Sequence, residues 1–65
     1  MPTGHVTEFD AHRGLGVVTD SSGQAWPFHC IEIADGSRHI PVGIEVEFAT
    51  IPKLGRIEAA RITRV

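Results

Sequence analysis

Two glycines at alternate positions, in Arg13-Gly14-Leu15-Gly16-Val17-Val18, constrain this chain more than any other feature. A strand interior disfavours glycine, which adds no packing and loses the most backbone entropy on folding. Alternating glycines therefore imply that one face of the strand is kept bare, for close approach of another group or for strong curvature. The opposite face carries Leu15 and Val17, which point the same way by the two-residue period of a strand. What that second face meets bears directly on function.

Turn residues divide the rest of the chain into short pieces. Gly4 to Asp10 has β-branched and aromatic residues with polar ones between, and is predicted as a strand. Alternation places Val6 on one side and His5, Thr7 and Phe9 on the other, unless a bulge intervenes. Asp10 to Gly14 is a turn, Leu15 to Thr19 a second strand, and Asp20-Ser21-Ser22-Gly23 the clearest turn of all. Gln24 to Cys30 then pairs back as a hairpin. Ile31-Glu32-Ile33-Ala34 is too short for an independent α-helix and predicts a single 3₁₀ turn. After the polar loop Asp35 to His39 and the segment Ile40 to Gly43, Ile44 to Phe48 alternates, with Ile44, Val46 and Phe48 inward and Glu45 and Glu47 outward. Pro52 to Gly55 is a turn, and Arg56 to Val65 holds the last strand, with Ile57, Ala60 and Ile62 as candidate core contacts and two adjacent alanines that imply tight packing.

Five short strands and no helix, in 65 residues, make one small all-β domain, residues 1–65. Closure removes exposed strand edges, so a small five-stranded antiparallel barrel of the OB-fold type is expected. The single Cys30 closes no internal disulfide, and the first residues carry neither a basic region nor an apolar run. No apolar run approaches the ~18 residues of a membrane helix. A cytoplasmic protein without a membrane partner is the expectation. The formal charge is −2, from six basic and eight acidic residues, which disfavours broad polyanion binding but leaves local patches open.

Taken together, the order of these pieces resembles the cold-shock domain family over nearly the whole chain. The family's opening strand is similar to Gly4-His5-Val6-Thr7-Glu8-Phe9-Asp10. Its first RNA-binding motif, Lys-Gly-Phe-Gly-Phe-Ile, is matched by Arg13-Gly14-Leu15-Gly16-Val17-Val18, and its second, Val-Phe-Val-His-Phe, by Trp26-Pro27-Phe28-His29-Cys30. The loop Gly36-Ser37-Arg38-His39-Ile40, the strand Gly43 to Phe48 and the ending Glu58-Ala59-Ala60-Arg61-Ile62 follow the same pattern. The resemblance implies an OB barrel, binding of single-stranded RNA or DNA, and a place in the stress response.

The departures are as informative. Glu8 stands where the family has Trp, Leu15 and Val17 where it has Phe, and Pro27, Cys30 and Ser37 replace further aromatics. Of the stacking platform, His29 and Phe9 remain. Trp26 and Phe28 occupy the neighbouring parity, where the family has core-facing valines. The rings are thus expected on the core side, with Trp26 reaching the barrel end to find a partner for its N–H.

Two readings of function follow. The first is weak, low-specificity binding of single-stranded RNA or DNA, with Phe9, Leu15, Val17 and His29 against bases and Arg13 and Arg38 at phosphates. Base–aromatic stacking is worth ~1–3 kcal/mol per base, so aliphatic replacements lower affinity. Lys53 and Arg56 extend a possible phosphate rim, while Glu8 either repels phosphate or pairs with Arg13. The second reading is a protein-interaction or structural module that keeps the barrel, using the apolar patch around Leu15, Val17, Pro27 and Cys30. The plainer account of these residues is an ordinary apolar strand face with solvated turn cations. His5, His12, His29, His39 and Cys30 match no zinc spacing, and neighbours His29 and Cys30 point to opposite faces, so neither a metal site nor a nucleophile–base pair is expected. No cofactor, small-molecule substrate or enzymatic activity is implied.

Overall fold

In the computed structural model, which describes residues 2–53 and 55–65 (Lys53 by its backbone alone), the chain is all-β. The strands are β1 (Thr3–Asp10), β2 (Leu15–Asp20), β3 (Ala25–His29), β4 (Glu45–Lys53) and β5 (Arg56–Arg64). A 3₁₀ turn, Cys30–Glu32, follows β3. All strand ladders are antiparallel, in one sheet of order β3-β2-β1-β4-β5. The two outer strands, β3 and β5, pack against each other without a ladder between them. Just past β3, Ile33 forms a single parallel bridge to Ile62 of β5, and Ala34 donates its N–H to the Ile62 carbonyl at 2.8 Å.

The core is built from alternating strand residues. Val6, Val18, Val46 and Phe48 are fully buried, and Phe28 and Ile62 nearly so. Two core residues come from outside the strands, Ile33 beyond the 3₁₀ turn and Ile40 in the connection to β4. Ala59 and Ala60 are both buried although strand neighbours face opposite ways, so β5 is covered on both sides there. The small alanine side chains allow that. Ile57 does not join the core as expected. It pairs with Pro52 near the β4–β5 connection and is 52% exposed, because that end of the ribbon extends past the core. Strand β4 likewise continues through Pro52 to Lys53 instead of turning at Pro52, and Leu54 lies outside the described residues.

Gly16 explains part of the glycine pattern. A Cβ there would sit 2.5 Å from the Phe28 ring and 2.8 Å from the Glu8 carbonyl oxygen. The bare face of β2 is therefore the core face, and the Phe28 ring fills it. Gly14 has a different reason. Its φ of +70° closes the β1–β2 turn, a conformation that favours glycine.

Trp26 is half-buried against the core and donates its indole N–H to the Asp20 carboxylate at 3.1 Å. Asp20 also accepts hydrogen bonds from the Ser22 hydroxyl and from the backbone N–H groups of Ser22 and Gln24. These donors, the Ser22 hydroxyl first and the Trp26 indole next, lower the Asp20 pKa from 3.8 to about 2. One carboxylate thus ties the β2–β3 turn to the core ring behind it.

Candidate nucleic-acid interface

Register assigns the outer-face residues to rows across β1, β2 and β3. Asp10 stands opposite Leu15, and Leu15 opposite His29. In the next row, Glu8 stands opposite Val17, and Val17 opposite Pro27. Directly opposed residues share a face, so Leu15, Val17, Pro27 and His29 form one continuous strip. Leu15 and His29 are exposed, while Val17 and Pro27 are half-buried. Glu8 and Asp10 border the strip on the β1 side.

Phe9 is not in this strip. The β1–β2 register shifts between Val6 and Glu8, a β-bulge that sends Thr7 and Glu8 both outward. The Thr7 hydroxyl donates to the Val17 carbonyl at 3.3 Å and lies 3.0 Å from the Thr19 hydroxyl. The slip turns Phe9 to the core side, opposite Gly16. There its ring stacks on Phe28, with centroids 6.1 Å apart, and meets the His39 ring edge-on at 5.6 Å. The expected Phe9–His29 pair is thus divided between the two sides of the sheet, and His29 is the sole aromatic ring of the strip.

The expected cations separate as well. Arg13 is exposed in the β1–β2 turn, where the Asp10 carboxylate accepts the backbone N–H groups of His12 and Arg13. Arg13 forms no ion pair with Glu8. Arg38 is exposed in the loop after the 3₁₀ turn, with a left-handed φ of 58°. It shares neither a polar contact with the strip nor the lining of the groove beside it. The side chain of Lys53 lies outside the described residues.

That groove, about 200 Å³, runs along the strip. It is lined by Leu15, Gly16 and Val17 of β2, Pro27, Phe28 and His29 of β3, and Arg56 and Glu58 of β5. The Arg56 Nε lies 3.9 Å from the Glu58 carboxylate. Sequence reasoning placed Arg56 in a general rim and missed Glu58. Their meeting with Leu15 and His29 depends on β5 packing beside β3, and no local pattern signals it. A larger hollow of about 330 Å³, lined by Ala34, Asp35, Ile62, Thr63 and Arg64, lies beside the far end of β5. Its charged groups are already engaged. Arg64 pairs with Asp35 at 3.2 Å and donates to the His39 carbonyl at 2.9 Å. Ser37, through its backbone N–H above all, and then Arg64 hold the Asp35 carboxyl below its ordinary pKa.

Among the described residues, no three His, Cys, Asp or Glu side chains gather where they could hold a metal ion. No helix among them is long and apolar enough to cross a membrane. No protein-family model matches the sequence, and no curated protein matches it.

Proposed function

We propose that this chain is a divergent, cytoplasmic cold-shock-like domain, a small barrel of OB type, that binds single-stranded RNA or DNA weakly. The observation that carries this reading is the position of the groove. OB folds bind oligonucleotides on the face of strands two and three, helped by the loops joining strands one to two and four to five. Here the strip lies on β2 and β3, Arg13 lies in the β1–β2 turn, and Arg56 opens β5 just after the β4–β5 connection. The packing of β3 on β5, continued by the Ile33–Ile62 bridge, favours the barrel.

Bases rest on Leu15, Val17 and Pro27 and stack on His29, while Arg13 and Arg56 meet phosphates. Affinity is low because one ring replaces a platform of several, each worth ~1–3 kcal/mol. Two phosphate contacts give a shallow salt dependence, a slope of about −1.4 in log K against log salt. Titration with single-stranded oligonucleotides at two salt concentrations tests this. The expected result is weak binding with that slope and amide shift changes at Leu15, Val17 and His29. Silence at those amides at low salt sinks the reading.

One observation favours a second reading. Glu8 and Asp10 stand directly beside Val17 and Leu15, giving an apolar centre with an acidic border. That suits a protein surface with a basic rim better than a polyanion. This module reading predicts that oligonucleotides leave the strip untouched.

A further inference from the structure

Arg56 and Glu58 are two residues apart on β5, so their side chains leave the same face, and both line the groove. At 3.9 Å they form an ion pair without a hydrogen bond, so the Arg56 N–H donors and the Glu58 lone pairs stay open to a ligand. The Glu58 side chain is only 18% exposed, whereas that of Arg56 is 66% exposed. Among the described residues Glu58 makes no other side-chain contact of charge or hydrogen bond. The groove therefore presents a half-buried acceptor beside an exposed donor, together with an apolar lining. Its volume of about 200 Å³ equals roughly seven waters, enough to seat one base.

We propose that Glu58 and Arg56 read the edge of one base seated on Leu15 and Val17, and that they select guanine over thymine or uracil. This rests on the nucleic-acid reading above. A carboxylate only accepts hydrogen bonds, and a guanidinium only donates them. Guanine offers two adjacent donors, N1–H and the 2-amino group, followed by the O6 acceptor. Both Glu58 oxygens and one N–H of the Arg56 guanidinium are then satisfied at once, and the remaining Arg56 donors are left for phosphate. Cytosine and adenine offer one amino donor beside a ring acceptor. Thymine and uracil place a carbonyl on each side of a single N–H, and both carbonyls face the carboxylate unfavourably. Glu58 also disfavours any base that cannot donate to it, because a half-buried carboxylate cut off from water with no hydrogen-bond donor is costly.

The test compares thymine oligomers carrying one central guanine, hypoxanthine or thymine, titrated into the wild-type protein. Hypoxanthine lacks only the 2-amino donor of guanine. The expected order is guanine tightest, about five- to tenfold over thymine, with hypoxanthine between. In Glu58→Gln the guanine preference falls to within about twofold, while the all-thymine oligomer binds more tightly because a repelling charge is gone. A thermal melt establishes that the variant is folded, and the wild-type base series stands independently of it. Equal affinity for the three oligomers overturns the selection and leaves weak binding standing. A preference that survives Glu58→Gln overturns the role of Glu58. No binding to any oligomer overturns both the selection and the function beneath it.

Discussion

Single atoms decide the β2 strand. The space that a Gly16 Cβ would need is occupied by the edge of the Phe28 ring, 2.5 Å away, and by the Glu8 carbonyl oxygen at 2.8 Å. Neither yields cheaply, since Phe28 is 1% exposed and the carbonyl belongs to the bulged strand. Gly16→Ala is therefore expected to destabilise the domain by about 1–3 kcal/mol, the usual range for overpacking. Urea unfolding followed by Trp26 emission measures it, and an unchanged midpoint contradicts the packing described. Asp20 supplies a second residue-scale outcome. Its folded pKa of about 2 lies below its ordinary 3.8, so its ionised form stabilises the fold. That contribution is complete above the unfolded value and is lost as pH falls through the folded one. Melting temperature should drop between about pH 4 and pH 2, and Asp20→Asn should flatten this part of the profile. Equally steep wild-type and variant profiles would place the acid sensitivity elsewhere.

Elements are legible in sequence where their pattern is local, and illegible where a neighbouring strand sets it. Val6, Val18, Val46 and Phe48 follow the two-residue period, and all four are buried. The parity of Trp26 and Phe28 places both on the core side, and the indole N–H finds its partner in Asp20. Phe9 escapes the same logic because the bulge at Thr7 arises from pairing with β2, which no alternation in β1 records. Ile33 and Ile40 look like loop residues because their burial comes from tertiary packing rather than from a strand period. Half of the candidate site follows the same division. Leu15, Val17 and His29 are readable from one hairpin, whereas Arg56 and Glu58 arrive from the other end of the chain. The loop from Asp35 to His39 also depends on a distant element. Arg64 of β5 fastens it through Asp35, the Ser37 hydroxyl and the His39 carbonyl. Arg64→Ala should speed amide hydrogen exchange at Ser37 and His39 several-fold, while the β1–β2–β3 ladder keeps its protection because Ile40 still anchors the loop's far end. Unchanged exchange in the loop would assign its order to the His39–Phe9 ring contact instead.

At the scale of the whole molecule, the groove lies along the line where β3 and β5 pack without a ladder. A domain of 65 residues has little stability to spare, and an unladdered line between its outer strands is where it should open first. On the proposed function, an oligonucleotide touching Leu15 and His29 on one side and Arg56 on the other would bridge that line. Such a ligand would bind the closed form and lose its site when β3 and β5 separate. Ligand at ten times its dissociation constant then stabilises the fold by about 1.4 kcal/mol. For a domain this small, that corresponds to roughly 6–11 °C in Tm. The increase should shrink as salt is raised, because the phosphate contacts weaken while the apolar ones persist. Oligonucleotide melts at low and high salt measure both effects together. A Tm that rises equally at the two salts would mean that Arg13 and Arg56 do not meet phosphate. A Tm that does not rise with the protein saturated would mean that the ligand binds the unfolded chain as tightly as the folded one, so that the groove is not its site.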